Sequence, residues 1–395
     1  MTFEKDLQDL IDRTYAHTWD TFEYVKANAR LYKIKKKTID SWKTPGEPAF
    51  VANIASYPFA RLRLSNLIQT HLSPTISAGK PLVSGVFVHQ KPKVRFGVPA
   101  SEIELGDILF VRHHFQSKAK SPVGRAFLLQ AKSTSRPDTG LLTGKEAKQF
   151  DLYANWDTEF TFPHGDIGPP PSGKKWNLSN GPKPYADTGF YGLVSNDRKF
   201  ASNGFPNNSA WAVGAAVAPL KGTVKEVKGS GSLAQTLHSF IIGSHGRPWS
   251  LGASKSDHWS HFVEEILKNS LDWTTRVQRI YKVDMPRKFN ALSFVNTFAL
   301  ANAYSDITNA LAAQSGGLDM RYVKSKLDDA GEIFLQGRDW VAGGGDHVLR
   351  GGRQQPTSNE NLAQRTPGGM SVLYVATFGE GPLETLNEKD LGQAL

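Results

Sequence analysis

Three residues in the middle of the chain could act together on a phosphate ester. Asp107 precedes an apolar run, and Gln130 and Lys132 lie two positions apart at the end of a second apolar run. Because side chains alternate along a strand, Gln130 and Lys132 point from the same face. Hydrolysis of a phosphodiester calls for oxygen ligands around a hard cation such as Mg²⁺ and for a positive charge beside the phosphate. These three residue types could supply both.

The expected roles follow from the chemistry of the side chains. Asp107 supplies a carboxylate to Mg²⁺ or Mn²⁺, while the Gln130 side-chain carbonyl and the Ala131 backbone carbonyl supply neutral oxygens. Lys132 orients the attacking water or stabilises the transition state. Glu104 is a further candidate, although strict alternation along one strand places it opposite Asp107, unless Gly106 marks a bulge or the strand starts later.

The segment after Lys132 carries two more candidates. Gln149 and Tyr153 are four positions apart, so they share one face of a predicted helix. There they would position DNA or brace Lys132. Taken alone, each of these patterns also fits a turn before a strand, a solvated strand end or an ordinary helix surface. Their occurrence together, in this order, favours a functional site.

The strand residues resemble the motifs of the PD-(D/E)xK, or restriction-endonuclease-like, superfamily of nucleases. Asp107 matches the metal-binding aspartate of that superfamily, and Gln130-Ala131-Lys132 matches its (D/E)xK tripeptide. The chain departs from the pattern at Gln130, where most members carry a carboxylate. Mrr-type restriction enzymes are similar to this chain in using glutamine there.

The helix residues extend the resemblance, because Gln149 and Tyr153 are similar to the QxxxY motif that follows the lysine in RecB-type nucleases. The resemblance covers about residues 47–195. It implies an αβββαβ core, Mg²⁺ or Mn²⁺ as the cofactor, and DNA as the substrate, with RNA not excluded. Restriction of foreign DNA, or defence against it, is the role implied first, with repair or recombination next.

Hydrophobic periodicity predicts the elements that must position these residues. Apolar residues at helical or alternating spacing predict a helix, three strands, a helix and a strand. These elements lie, in order, at 49–71, 83–96, 103–112, 125–133, 144–155 and 188–195. The αβββαβ order obtained in this way agrees with the order that the resemblance implies.

The segments around this core predict further structure. Residues 3–31 are predicted to form an amphipathic helix, and the basic cluster at 33–37 that follows could track phosphates or simply solvate a helix end. The stretch 162–188 is dense in Pro, Gly and Asn, which indicates a loop insertion near the site. A strand is predicted over 209–219.

A polar, glycine-rich run at 222–231 is the best candidate for a domain boundary. It separates three predicted regions: an N-terminal helical extension (1–46), a nuclease domain (47–221) and a helix-rich C-terminal α+β domain (232–395). In the last region the periodicity predicts helices and one buried strand. These lie at 233–242, 257–271, 291–313 and 371–378. The predicted fold class is therefore α/β, of the α+β kind.

Arg350 and Arg353 lie in a second glycine-rich stretch, 343–353. Its glycines would let backbone amides approach a phosphate, and the two arginines would add positive charge. An ordinary glycine-rich linker explains the same composition. Both interpretations stay open, because the spacing fits neither a P-loop nor a dinucleotide fingerprint.

The composition limits the classes of function. The formal net charge is +10, which suits a polyanionic partner, although many basic proteins bind no nucleic acid. The chain has no cysteine, which excludes disulfides, thiolate catalysis and cysteine-ligated metal clusters. Without a signal peptide or a membrane-spanning run, we expect a cytoplasmic protein that does not enter the membrane. A homodimer or a partner protein is compatible with the sequence.

Two hypotheses from other classes remain beside the nuclease. In the first, the chain is a catalytically inactive nucleic-acid-binding module on the same fold, in which Gln130 marks the loss of the metal. In the second, it is a scaffold protein whose positive charge serves solubility. Metal binding that depends on Asp107 separates the nuclease from both.

Overall fold

The computed structural model describes residues 2–27, 43–55, 58–72, 81–86, 92–97, 100–116, 123–137, 140–141, 145–163, 174–180, 185–200, 204–216, 226–250, 253–267 and 370–379. The predictions for the basic cluster at 33–37, for the helix at 291–313, and for Arg350 and Arg353 lie outside these residues.

The N-terminal part of the described chain is helical. The sequence predicts one helix over 49–71, whereas the structure has a short α-helix, a π-helical segment at Pro58–Leu64 and a second α-helix. A physical reason for the break is that Pro58 has no backbone N–H to donate within a continuous helix. The α-helices are α1 (Phe3–Ala27), α2 (Glu47–Ile54) and α3 (Ser65–Leu72).

The described strands form one large mixed sheet, in the order β1-β14-β4-β5-β9-β10-β12, with β13 paired to β5. Strand β14 runs parallel to β4, and β9 runs parallel to β5. The other pairings in this sheet are antiparallel. Its strands are β1 (Leu82–Val86), β4 (Ile108–Gln116), β5 (Val123–Thr134), β9 (Gly189–Ser195), β10 (Trp211–Gly214), β12 (Gly231–Ser232), β13 (Arg247–Trp249) and β14 (Ser371–Gly379).

Shorter strands form two further sheets. One has the order β3-β2-β7-β8, and the other pairs β6 with β11. The predicted strands 83–96 and 103–112 are therefore each divided between the large sheet and a small one. The short strands are β2 (Lys93–Phe96), β3 (Ser101–Glu104), β6 (Gly140–Leu141), β7 (Phe160–Thr161), β8 (Lys175–Trp176) and β11 (Glu226–Val227).

Helices cover both faces of the large sheet. On one face, Phe110 of β4 stacks on Phe127 of β5 at 4.7 Å between ring centroids, and Phe240 of helix α5 (Leu233–Ile242) packs edge-on against both. On the other face, Phe150 and Tyr153 of helix α4 (Lys145–Ala154) pack on Tyr191 of β9. A further helix, α6, lies at 258–267. None of the described helices is long and apolar enough to cross a bilayer.

Segments on both sides of the predicted domain boundary share the large sheet. Strand β14 lies between β1 and β4, and helix α5 packs against α1 as well as against the sheet. The described parts of all three predicted regions therefore contribute to one hydrophobic core. The predicted α+β class is confirmed, since helices and a mixed sheet both contribute to that core.

Candidate functional site

Asp107 lies at the corner where the chain passes from the small sheet into β4. Its backbone N–H donates to the carbonyl of Leu129 on β5 at 3.0 Å, which holds it next to Gln130. Gly106 allows this corner to pass close to helix α4, because a Cβ at that position would lie 2.7 Å from the hydroxyl oxygen of Tyr153. The difficulty of strand alternation between Glu104 and Asp107 disappears, since Glu104 ends β3 and Asp107 precedes β4.

The two oxygens of the Asp107 carboxylate have different surroundings. Oδ2 accepts a hydrogen bond from the backbone N–H of Ala131 at 2.7 Å and a second, short one from Nε2 of Gln130. Among the described residues, none donates to Oδ1. The carboxylate is thus fixed through one oxygen and presents the other.

Gln130 uses both ends of its buried side-chain amide within the protein. Its Nε2 donates to Asp107 and, at 3.2 Å, to the backbone carbonyl of Ala131. Its Oε1 accepts from Nε2 of Gln149 at 2.5 Å. The carbonyl oxygens of Gln130 and Ala131, which the sequence predicts as neutral metal ligands, therefore both accept hydrogen bonds from protein amides.

Gln149 and Tyr153 hold the backbone that leads to Asp107. Nε2 of Gln149 donates to the carbonyl of Glu104 at 2.7 Å, and the hydroxyl of Tyr153 donates to the carbonyl of Leu105 at 2.9 Å. Both side chains therefore extend from one helix face to the backbone directly before Asp107. Neither residue hydrogen-bonds to Lys132, which the sequence offered as one of two roles for them.

Lys132 lies between acidic side chains. Its Nζ donates to Oε1 of Glu146 at 3.0 Å and lies 4.0 Å from Oε2 of Glu47. The other oxygen of Glu47 accepts from the backbone N–H of Ser133 at 2.8 Å, which ties the start of α2 to the end of β5.

The carboxylates of the site interact unfavourably with one another. The pKa of Asp107 is raised well above its usual range by loss of water and then by the charges of Glu104 and Glu47, although Ala131 and Lys132 oppose this. Burial and the charge of Glu47 likewise raise the pKa of Glu104, against the effect of Lys132. Negative charge thus exceeds positive charge at this site.

The pKa of Lys132 moves in the direction that keeps its proton. Burial alone would lower it, but the charge of Glu47, the hydrogen bond and charge of Glu146, and the charge of Asp107 together raise it. Lys132 is therefore an ammonium donor at neutral pH and not a base.

The chemistry of these donors fits a hard divalent cation. Mg²⁺ binds through one or two carboxylates and keeps several waters, so Asp107 with Glu104 or Glu47 would suffice. Among the described residues, no three His, Asp or Glu side chains are grouped to form a cage around an ion. The neutral Gln130 oxygen accepts one hydrogen bond from Gln149 in this arrangement, which leaves it a second lone pair for a cation.

Sequence reasoning missed the two glutamates that hold Lys132. Glu47 lies in the first turn of α2, where acidic residues are common because they complement the helix dipole, so its position gave no specific signal. Glu146 lies three residues before Gln149 on α4 and shares its face. That spacing could have identified it.

Comparison with known proteins assigns no family to this chain. No protein-family model matches it, and neither the curated proteins nor the solved structures compared with it gave a significant match.

Proposed function

We propose that the chain is a metal-dependent nuclease that hydrolyses DNA phosphodiester bonds on a restriction-endonuclease-like core. The observation that carries the proposal is the charge interaction between Asp107, directly before β4, and Lys132 on the neighbouring β5, within a group of mutually repelling carboxylates. Such a group lowers its free energy by binding a cation, and phosphodiester hydrolysis uses one.

The order of elements supports the same proposal. Helix α2, strands β1, β4 and β5, helix α4 and strand β9 follow one another as αβββαβ, if the π-helical segment, helix α3, the short strands and a 3₁₀ turn between them are set aside. Strand β14 is an addition to this core, because it lies between β1 and β4. The site lies where β4 begins and where Gln130 and Lys132 leave β5 on the face covered by α4.

The residues of the site have separable tasks in this proposal. A bound Mg²⁺ or Mn²⁺ supplies neutralisation of charge on the phosphate and a more acidic water. Asp107 would hold the cation, with Glu104 or Glu47 beside it. Lys132, kept protonated by Glu47 and Glu146, donates to a phosphate oxygen and stabilises the charge that develops there.

DNA is the substrate class that the charge balance favours. The chain carries a net charge of +10, whereas the site itself is acidic. A phosphate would be repelled from the site until a cation occupies it, while basic residues elsewhere attract the DNA backbone. The proposed role is restriction of foreign DNA or defence against it.

One observation favours a second candidate, a nucleic-acid-binding module without catalysis. Residue 130 is neutral, and Gln149 occupies one lone pair of its oxygen, so the site offers a cation less negative charge than the common form of the motif. Such a module would bind DNA with the same salt dependence but would not cleave it.

A cleavage assay separates the two candidates. Supercoiled, linear and single-stranded DNA, with RNA in parallel, are incubated with the protein and Mg²⁺ or Mn²⁺. We expect cleavage of DNA by the wild type and by Asp157→Asn and Lys148→Ala, which change exposed residues of the same types. Asp107→Asn and Lys132→Ala should lose it. Binding without cleavage by the wild type would favour the module, and cleavage by Asp107→Asn at the wild-type rate would show that the site is elsewhere.

A further inference from the structure

The side chains of Gln149, Gln130 and Asp107 form a chain of hydrogen bonds whose direction is fixed at both ends. At one end, the backbone carbonyl of Glu104 can only accept, so it faces the nitrogen of the Gln149 amide. At the other end, the backbone N–H of Ala131 can only donate, so Asp107 presents an oxygen to it.

The orientation of Gln130 follows from these two ends. The second N–H of Gln149 donates to Oε1 of Gln130, which turns Nε2 of Gln130 toward the carboxylate. If the Gln130 amide were reversed, its nitrogen would face the nitrogen of Gln149 and its oxygen would face Oδ2 of Asp107. Both hydrogen bonds would be lost in a buried setting.

From this arrangement we infer that Gln130 is a positioning residue that orients Asp107, that Gln149 fixes Gln130, and that the site takes a single divalent cation. The cation part rests on the proposed function. It follows because Oδ2 of Asp107 uses both of its lone pairs for Ala131 and Gln130, so only Oδ1 can reach a ligand. Asp107 therefore cannot form a bridge between two cations in which each oxygen binds one ion.

Nuclear magnetic resonance of protein labelled at glutamine tests the positioning role without any cation. The Gln130 side-chain amide proton that points to Asp107 should lie downfield and exchange slowly with water, because its acceptor is a carboxylate. In Gln149→Met its exchange should accelerate by roughly fivefold to tenfold, the effect of losing one hydrogen bond. Gln8→Met is the matched control, since Gln8 donates to a different carboxylate, Asp12, at 2.6 Å.

Unchanged Gln130 exchange in Gln149→Met, or the absence of a protected Gln130 proton in the wild type, would overturn the positioning role. Asp107→Asn provides a second variant that keeps an acceptor oxygen but removes the charge, and it should move the Gln130 proton upfield. The pattern of well-dispersed backbone signals shows in each case that the variant is folded.

Titration with Mn²⁺ and Mg²⁺ tests the cation part. We expect one Mn²⁺ per chain by calorimetry, the electron paramagnetic resonance spectrum of an isolated ion, and a protected Gln130 proton that persists at saturating Mg²⁺. Two Mn²⁺ with a spin-coupled spectrum, or loss of the Gln130 signal on addition of Mg²⁺, would overturn it and leave the nuclease proposal intact. No binding of either cation would overturn the nuclease proposal and the cation part together, while the apo spectra would still decide the positioning role.

Discussion

Helix α1 and the corner before β4 each contain a half-buried aspartate with similar partners. Asp12 accepts from the backbone N–H of Ala210 at 2.9 Å and from Nε2 of Gln8 at 2.6 Å, just as Asp107 accepts from Ala131 and Gln130. Burial is the largest cause of a raised pKa in both.

The two aspartates differ in how the donors are distributed. At Asp12 the donors reach different oxygens, Oδ1 and Oδ2, so both are satisfied. At Asp107 both donors reach Oδ2. The nearby charges differ in number, since Lys5 partly offsets one carboxylate, Asp9, beside Asp12, while Lys132 partly offsets two, Glu104 and Glu47, beside Asp107. We therefore expect the Asp12 carboxylate, satisfied at both oxygens, to serve the fold, and the Asp107 carboxylate, fixed at one oxygen, to bind the proposed cation.

The largest expected effect is the difference in cleavage rate between two matched variants, Asp107→Asn and Asp12→Asn. Asp107→Asn should lower the rate by about a thousandfold or more, because a charged group that acts on the transition state is removed. Asp12→Asn should cleave at the wild-type rate. Single-turnover cleavage with saturating Mn²⁺ measures both, and equal losses would remove the distinction between the two carboxylates.

A second pair of variants compares Lys132, beside Asp107, with Lys5, beside Asp12. Lys132→Ala should lower cleavage by about a hundredfold and the free energy of unfolding by about 1–3 kcal/mol, since Glu47 and Glu146 lose their partner. The range allows for solvent screening, because Glu146 is 44% exposed. Lys5, paired with Asp9 at 2.7 Å on the surface of α1, is the control. Lys5→Ala should change neither quantity in urea unfolding and cleavage assays.

The raised pKa of Asp107 predicts how stability depends on pH. The folded protein binds the Asp107 proton more tightly than the unfolded chain does. In the unfolded chain the pKa of this carboxyl is near 3.8. Stability contributed by this proton is therefore present below the unfolded pKa and is lost as the pH rises through the folded pKa.

Asp107→Asn should consequently be more stable than the cation-free wild type at neutral pH, because it removes a charge that burial, Glu104 and Glu47 disfavour in the folded protein. The asparagine oxygen can still accept from both Ala131 and Gln130. The difference should vanish near pH 3.8, the unfolded value. Urea unfolding over this pH range measures it, and a less stable variant at neutral pH would mean that the charge of Asp107 is compensated in the apo protein.

The smallest expected effect compares two tyrosines that donate to backbone carbonyls. Tyr153→Phe frees the carbonyl of Leu105 beside Asp107, and Tyr15→Phe frees those of Ser195 and Asp197 near α1. Each should lower the free energy of unfolding by about 1 kcal/mol. Only Tyr153→Phe should also slow cleavage, by about threefold to tenfold, because the Asp107 corner loosens. A wild-type rate in Tyr153→Phe would leave that hydroxyl with a purely structural role.

Local pattern was sufficient to predict several elements from the sequence. Alternating or helically spaced apolar residues identified β5, β9, α4, α5 and β14 close to their observed bounds. Asp107, Gln130, Lys132, Gln149 and Tyr153 were singled out by type and spacing, and hydrogen bonds or charge interactions connect them.

The division of strands between sheets and the hydrogen-bond directions in the site depend on long-range contacts, which hydrophobic periodicity does not predict. The predicted strands 83–96 and 103–112 each had one apolar pattern, but the two observed strands within each of them belong to different sheets. The direction of the Gln130 amide depends on Gln149, 19 residues later, and on a backbone carbonyl. No local signal states which end of an amide faces a carboxylate.

The position of β14 has a consequence for the time at which the site is completed during synthesis. Strand β4, which follows Asp107, pairs with β14 across a separation that reaches 263 residues between His114 and Thr377. Contacts of such high order form slowly, and a ribosome adds about 5–20 residues per second. A nascent chain therefore carries all the residues from Glu47 to Tyr153 well before the sheet that supports them is whole, and cleavage should begin only after residue 379 has left the ribosome.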